Sequence, residues 1–137
     1  MEKIYRLQGF ETDEKPWVEM ELRSKDAALR QAAALCLFDK FDARELQPTF
    51  LDMLRNERDD DVAMTLMYAL GMWSASTKDS SLLAAIRTTQ RRFDGAPGAF
   101  QEAAEDALLR IWYGLDSKTL VQLSDERRQQ LLTEVPK

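Results

Sequence analysis

Histidine is absent from the 137 residues of this chain, and cysteine occurs once, at Cys36. The first absence removes the usual acid–base side chain of neutral pH and the commonest metal ligand. With a single thiol beside it, a zinc site of the ordinary nitrogen-and-sulfur kind is not expected. One cysteine also forbids an intramolecular disulfide and fits a reducing compartment. No apolar stretch approaches the ~20 residues of a membrane span. The opening MEKIYRLQGF is too polar for a secretory signal, so a cytoplasmic location is expected. Basic charge is in deficit, 19 Lys and Arg against 24 Asp and Glu, a net charge of −5. Neither nucleic acid nor an anionic membrane is therefore expected as the main partner, because phosphate recognition needs a basic face. There is no Gly-rich phosphate loop and no nucleophile motif. The chain is not expected to be an enzyme, and neither a cofactor nor a metal is expected.

What is present is the composition of an ordinary globular domain, 45% hydrophobic and 31% charged. One domain over residues 1–137 is expected at this length. Residues 1–15 carry Ile4, Tyr5, Leu7 and Phe10 without a helical stripe. They read as an N-terminal arm or short helix covering the first end of the domain. Pro16 opens a short helix to Arg23. Ser24 is placed to cap a helix from Asp26 to Asp39, with Leu29, Ala32, Ala33, Cys36 and Leu37 on one face. Asp42 is placed to cap a helix over Ala43 to Asn56, in which Pro48 falls about one turn in. The stretch Asp59 to Gly71 follows, acidic at its start and apolar at Val62, Leu66, Ala69 and Leu70. A helix from Ser80 or Ser81 to Arg92 and another from Ala99 to Tyr113 come next, separated by Asp94-Gly95-Ala96-Pro97-Gly98. Gly114 is a natural C-cap. Two short segments capped by Ser117 and Ser124 end the chain.

The second helices of successive pairs align with one another. The unit that begins at Asp26 recurs at Asp59 and again at Pro97, with spacings of 33 and 38 residues. A large anchor recurs as Leu29, Val62 and Phe100. Small or apolar residues recur as Ala32, Thr65 and Ala103, and as Ala33, Leu66 and Ala104. The first helices align through Pro16-Trp17-Val18-Glu19-Met20-Glu21-Leu22-Arg23 and Pro48-Thr49-Phe50-Leu51-Asp52-Met53-Leu54-Arg55. In these features, above all Asp26…Leu29-Arg30…Ala32-Ala33-Ala34 and Asp59…Val62…Ala69-Leu70-Gly71, the chain resembles the short bacterial HEAT-like repeat families. The third unit lacks the aspartate, and the basic residue is present only at Arg30. The resemblance covers about residues 16–114. It implies an all-α fold, an alpha-alpha superhelix of about three HEAT-like pairs, with residues 115–137 as a C-terminal helical cap. Physically, one pair cannot bury its own apolar face, so about three stacked pairs are the practical minimum.

Three clusters invite a chemical reading. Glu57, Asp59, Asp60 and Asp61 superficially match an oxygen-ligand loop. The calcium-loop pattern needs Gly at its sixth position and Glu at its twelfth, where this chain has Val62 and Tyr68. Capping of a helix N-terminus accounts for the cluster instead. Glu102, Glu105 and Asp106 share one helical face but have no nucleophile or histidine to work with. They read as a solvated face or as a dock for a basic group. The third cluster is apolar excess outside the expected core. If Val62, Thr65, Leu66, Ala69 and Leu70 face inward, then Met64, Met67 and Tyr68 point outward. A line from Gln31, Leu35 and Phe38 through Met64 and Tyr68 to Glu102, Glu105, Asp106 and Trp112 would then form a groove, apolar at one end and acidic at the other. The competing expectation is that the terminal segments fold over these residues. Arg87, Arg91, Arg92 and Arg110 read as a scattered, solvated set, and Cys36 reads as core.

The expected function is a non-catalytic protein–protein interaction module, its partner held on the concave second-helix face. Its acidity suits an inhibitor or immunity protein that neutralises a basic toxin or nuclease. The resemblance also implies an alternative, an accessory chaperone or lyase-type factor like the HEAT-like bilin-attachment proteins, which would show a pigment-sized cleft. A helical-repeat nucleic-acid-binding protein fits less well, because it wants a basic groove.

Overall fold

Eight α-helices and one 3-10 turn make up the regular structure of residues 14–137, the part of the chain that the computed structural model describes. No strand occurs among the described residues, so the chain is all-α there. The arm expected over residues 1–15 lies outside the described residues as far as residue 13. The helices are α1 (Lys15–Glu21), α2 (Ala27–Asp39), α3 (Gln47–Asn56), α4 (Asp60–Trp73), α5 (Ser80–Arg92), α6 (Gly98–Tyr113), α7 (Ser117–Gln122) and α8 (Asp125–Glu134). No helix of the described residues is long and apolar enough to cross a membrane.

Aspartate, rather than serine, starts four of these eight helices. Asp26, Asp59, Asp79 and Asp116 each accept a backbone N–H from the first turn, from Ala28, Val62, Leu82 and Thr119 respectively. Ser24 and Ser117, expected as caps, are not. Ser24 Oγ instead accepts the N–H of Asp26, and Ser117 is already the first helical residue of α7. A carboxylate satisfies the same free N–H as a hydroxyl and also complements the positive helix end. Ser124 does cap α8, accepting from Arg127.

The helix expected over Ala43–Asn56 is shorter than that. A 3-10 turn, Arg44–Leu46, comes first, and α3 begins at Gln47. This places Pro48 in the first turn, where no partner is needed for its missing N–H. Asp42 is no cap. It sits in the left-handed region at φ 44°, and its Oδ1 accepts from Trp73 Nε1 at 3.1 Å and from Arg44 Nε at 3.2 Å.

The helices pack in sequential pairs, α1 on α2, α3 on α4 and α5 on α6. Successive second helices also touch, α2 on α4 and α4 on α6, and α3 touches α5. Helix α4 is thus walled by α2, α3 and α6, which explains why eight of its fourteen residues are buried. At Gly71 α4 lies close against α6, where an added Cβ would lie 3.1 Å from Ala107 Cα. Aligned positions share their burial. Leu29, Val62 and Phe100 are buried, as are Ala33, Leu66 and Ala104, whereas Ala32, Thr65 and Ala103 are each half-buried. Trp73 fills the corner between α2 and α3, its ring 5.5 Å from that of Phe38 and 5.0 Å from that of Phe50.

Polar clamps join the pairs. Glu57, expected among the carboxylates that cap a helix N-terminus, is buried and holds Arg30 in a two-pronged pair, Nη2–Oε1 2.7 Å and Nε–Oε2 3.1 Å. Its Oε1 also accepts the N–H groups of Arg58 and Asp59. The hydrogen bond to Glu57 holds the Arg30 guanidinium above its ordinary range. Arg92 donates to Leu54 O and Arg55 O, tying α5 to the last turn of α3. The α4–α5 loop donates from Ser76 N and Lys78 N to the carbonyls of Arg110 and Ile111 at the end of α6. Gly114 closes α6 in the left-handed conformation, φ 75°, against Ser76.

Cys36 is core, as expected, at 7% exposure. Burial pushes its thiol up from the ordinary value. The thiolate is the reactive form. Iodoacetamide at mildly alkaline pH should therefore alkylate the folded protein about tenfold or more slowly than the urea-unfolded chain. Equal rates would contradict the burial.

Candidate interaction face

Four of the nine residues expected to bind a partner come together. Gln31 and Leu35 of α2 and Met64 and Tyr68 of α4 line one hollow of about 300 Å³, with Asp61, Thr65 and Ala103. Helical geometry brings them there, because residues three and four apart share a face and α2 and α4 lie side by side. Gln31 Nε2 donates to Thr65 Oγ1 at 3.3 Å across the junction, and Thr65 Oγ1 donates to Asp61 O. Thr65, expected to face inward, therefore belongs to the hollow.

Leu35 is 48% exposed, Tyr68 40% and Met72 39%. Phe38 joins them, packing edge-on against Tyr68 with ring centroids 5.3 Å apart. A second hollow of about 240 Å³ continues past Met72, lined also by Phe38, Asp39, Asp42 and Arg44. A third, of about 640 Å³, runs along α2 over Ala28, Gln31, Ala32, Leu35 and Asp39. Leu35 and Gln31 are shared between the first and third, and Phe38 and Asp39 bridge to the second. Together these side chains form an apolar strip across α2 and α4.

The other expected residues do not join it. Met67 is fully buried in the core, contrary to the expected outward placement. Walls on three sides widen the inward arc of α4 until it takes in Ala63 and Met67 as well as Val62, Leu66, Ala69 and Leu70. Glu105 and Asp106 are not an open acidic end. Arg128 of α8 lies across them, 2.9 Å from Glu105 Oε1 and 2.7 Å from Asp106 Oδ1, and donates to Glu102 O. Burial pulls the Arg128 guanidinium down, but its contacts with Glu105 and Asp106 outweigh that and hold it above the ordinary range. Tyr113 Oη secures the same helix, donating to Leu131 O at 2.8 Å. The competing expectation, a terminal segment folded over this end, is the arrangement found. Glu102 keeps an exposed side chain. Trp112 is half-buried, with Lys78 Nζ 4.8 Å above its ring.

No comparison supplies a relative. No family model, no curated protein and no solved structure matches the chain.

Two residues near the strip were not expected there. Met72 follows Tyr68 by four residues, so its place on the same face was readable from spacing alone. Arg110, expected on a solvated face, is 5% exposed. Its guanidinium carbon lies 5.4 Å from the Tyr68 ring centre, a cation–π distance, and Nη2 donates to Ser117 Oγ. It braces the Tyr68 ring from the side of α6. The carboxylates of Asp59, Asp60 and Asp61 converge, with one oxygen of each within 4.8 Å of the others. Asp59 Oδ1 is occupied by the N–H of Val62, and the other two stand in the first turn of α4, where the helix end favours negative charge.

Proposed function

We propose that this protein is a non-catalytic protein-binding module. Its three helical pairs stack as a HEAT-like superhelix, and the second helices α2, α4 and α6 form the face that meets the partner. The contacts of α2 with α4 and of α4 with α6, and the matched burial of the three aligned anchors, support the stacking. The exposed run Leu35, Tyr68 and Met72, beside Phe38, carries the functional reading. Contiguous exposed apolar side chains of this size mark interaction sites. Tyrosine and methionine are the residue types that adapt to a partner surface.

Asp39 and Asp61 are exposed and stand at the edges of the strip. They favour a partner that carries basic groups around an apolar anchor, as a toxin or nuclease neutralised by an inhibitor or immunity protein would. The acidic contribution then comes from α2 and α4. Glu105 and Asp106 play no part in it, because both are engaged by Arg128.

Capture from the native host with quantitative mass spectrometry tests this reading. A partner should be enriched on the wild-type chain and weakened by roughly a hundredfold or more on a Leu35→Glu/Tyr68→Glu variant. A Val121→Glu control alters a side chain that is 86% exposed on α7 and should bind as wild type does. Partner retention by the double variant at unchanged affinity would refute the placement.

A further inference from the structure

A hollow of about 780 Å³ opens beside the C-terminal half of α5, lined by Arg87, Gln90 and Arg91, by Asp94 in the following turn, by Gln101 of α6 and by Lys137. Three cationic side chains here face one acidic side chain, Asp94, in a chain whose net charge is −5. None of the three cations forms an ion pair among the described residues. Arg91 Nη2 donates to Thr88 Oγ1 of its own helix. Arg87 Nη2 donates to Val135 O at 3.3 Å, while its Nε is sealed from water with no hydrogen-bond partner.

The negative end of a helix accounts for a cation in the last turn, so it accounts for Arg91 and Arg92. Arg92 is also engaged with the end of α3. Arg87 lies a full turn earlier, and the dipole falls off within the last turn. The fork of Arg87 is not saturated by the one bond to Val135 O, and an oxyanion is the group whose geometry matches a guanidinium. The volume is that of a small-molecule site and is far larger than a bare ion needs. Gln90 and Gln101 add neutral amide groups able to bond a polar body.

We propose that this hollow is a binding site for a small organic phosphate monoester, with Arg87 and Arg91 holding the phosphoryl oxygens. Arg87 and Arg91 together match the charge of a phosphate monoester, about −1.5 to −2 at neutral pH. The proposal is independent of the partner-binding reading, since none of its residues lies in the apolar strip.

The test is an NMR titration of the full chain with inorganic phosphate, and separately with acetate and chloride at matched ionic strength. It follows the Nε–Hε signals of Arg87 and Arg91 and the side-chain amide of Gln101. Phosphate should give saturable shifts in the millimolar range, with acetate and chloride markedly weaker. Arg91→Gln removes a side chain bonded only within its own helix, and should fold normally yet weaken phosphate binding about tenfold, one charge-assisted contact. Arg58→Gln, an exposed residue elsewhere, should leave it unchanged. Non-saturating shifts, an equal response to acetate or chloride, or unaltered binding by Arg91→Gln would each overturn the assignment.

Discussion

Replacing Glu57 by alanine is expected to destabilise the protein by about 3 kcal/mol, the lower end for breaking a buried ion pair. The side chain of Glu57 is 6% exposed and that of Arg30 is 19%, so solvent screening holds the loss short of the upper end of that range. Two contacts to the guanidinium and two to backbone N–H groups vanish together. Arg30 keeps hydrogen bonds to Ser24 O and Lys25 O but loses its countercharge. The pair also joins α2 to the turn before α4, so its loss loosens the junction between the first two helical pairs. Urea unfolding measures the effect, and a drop in melting temperature of about 10 °C is the thermal counterpart for a domain of this size. A double-mutant cycle with Arg30→Ala should return a coupling of about 2 kcal/mol. Replacing both residues by Met and Leu should recover part of the stability, because no unpaired charge remains although the N–H groups of Arg58 and Asp59 lose their acceptor. A loss under about 1 kcal/mol for Glu57→Ala would mean that the pair behaves as an exposed one.

Gly71→Leu is expected to be at least as damaging, costing about 3 kcal/mol through overpacking. Helix α4 meets α6 there with no room for a side chain, since even a Cβ would stand 3.1 Å from Ala107 Cα and 3.3 Å from its Cβ. The obstruction is backbone, which cannot rotate away. Gly71→Ala should fall within about 1 kcal/mol of wild type, because the gain in helix propensity from Gly to Ala is of that size and offsets the squeeze. Ala107→Gly in the Gly71→Ala background should relieve part of the squeeze. Wild-type stability in Gly71→Leu would mean that α4 and α6 do not approach as described.

The helices were readable from the sequence because their signals are local. Proline at position 16, the break at Asp94–Gly98 and Gly114 at the end of α6 each act through backbone geometry over a few residues. The repeated anchors Leu29, Val62 and Phe100 were readable too, as large apolar residues at matching positions. Cap identity was less so. Serine and aspartate stand close together before α2, α5 and α7, both can accept the free N–H, and the structure uses the aspartate each time. One-face periodicity places Met67 outward because it assumes one buried side, whereas α4 is covered on three. The pairing of Glu105 and Asp106 is invisible in the sequence for a long-range reason. Arg128 is more than twenty residues from Glu105, and no local pattern announces that α8 folds back across α6. Glu57 likewise lies within an acidic run that looks solvated, and only its pairing with Arg30 distinguishes it. Of the three α4 residues expected to point outward, Tyr68 is exposed and Met64 half-buried because they lie off the buried arc, and Met67 lies on it.

The most direct measurement is site-specific photo-crosslinking in the native host. A benzophenone-bearing phenylalanine would be placed in turn at Tyr68, Met72, Met20 and Val121, all exposed. One protein should crosslink from positions 68 and 72 and not from positions 20 and 121. A partner crosslinked from position 20 or 121 but not from 68 or 72 would contradict the proposed face.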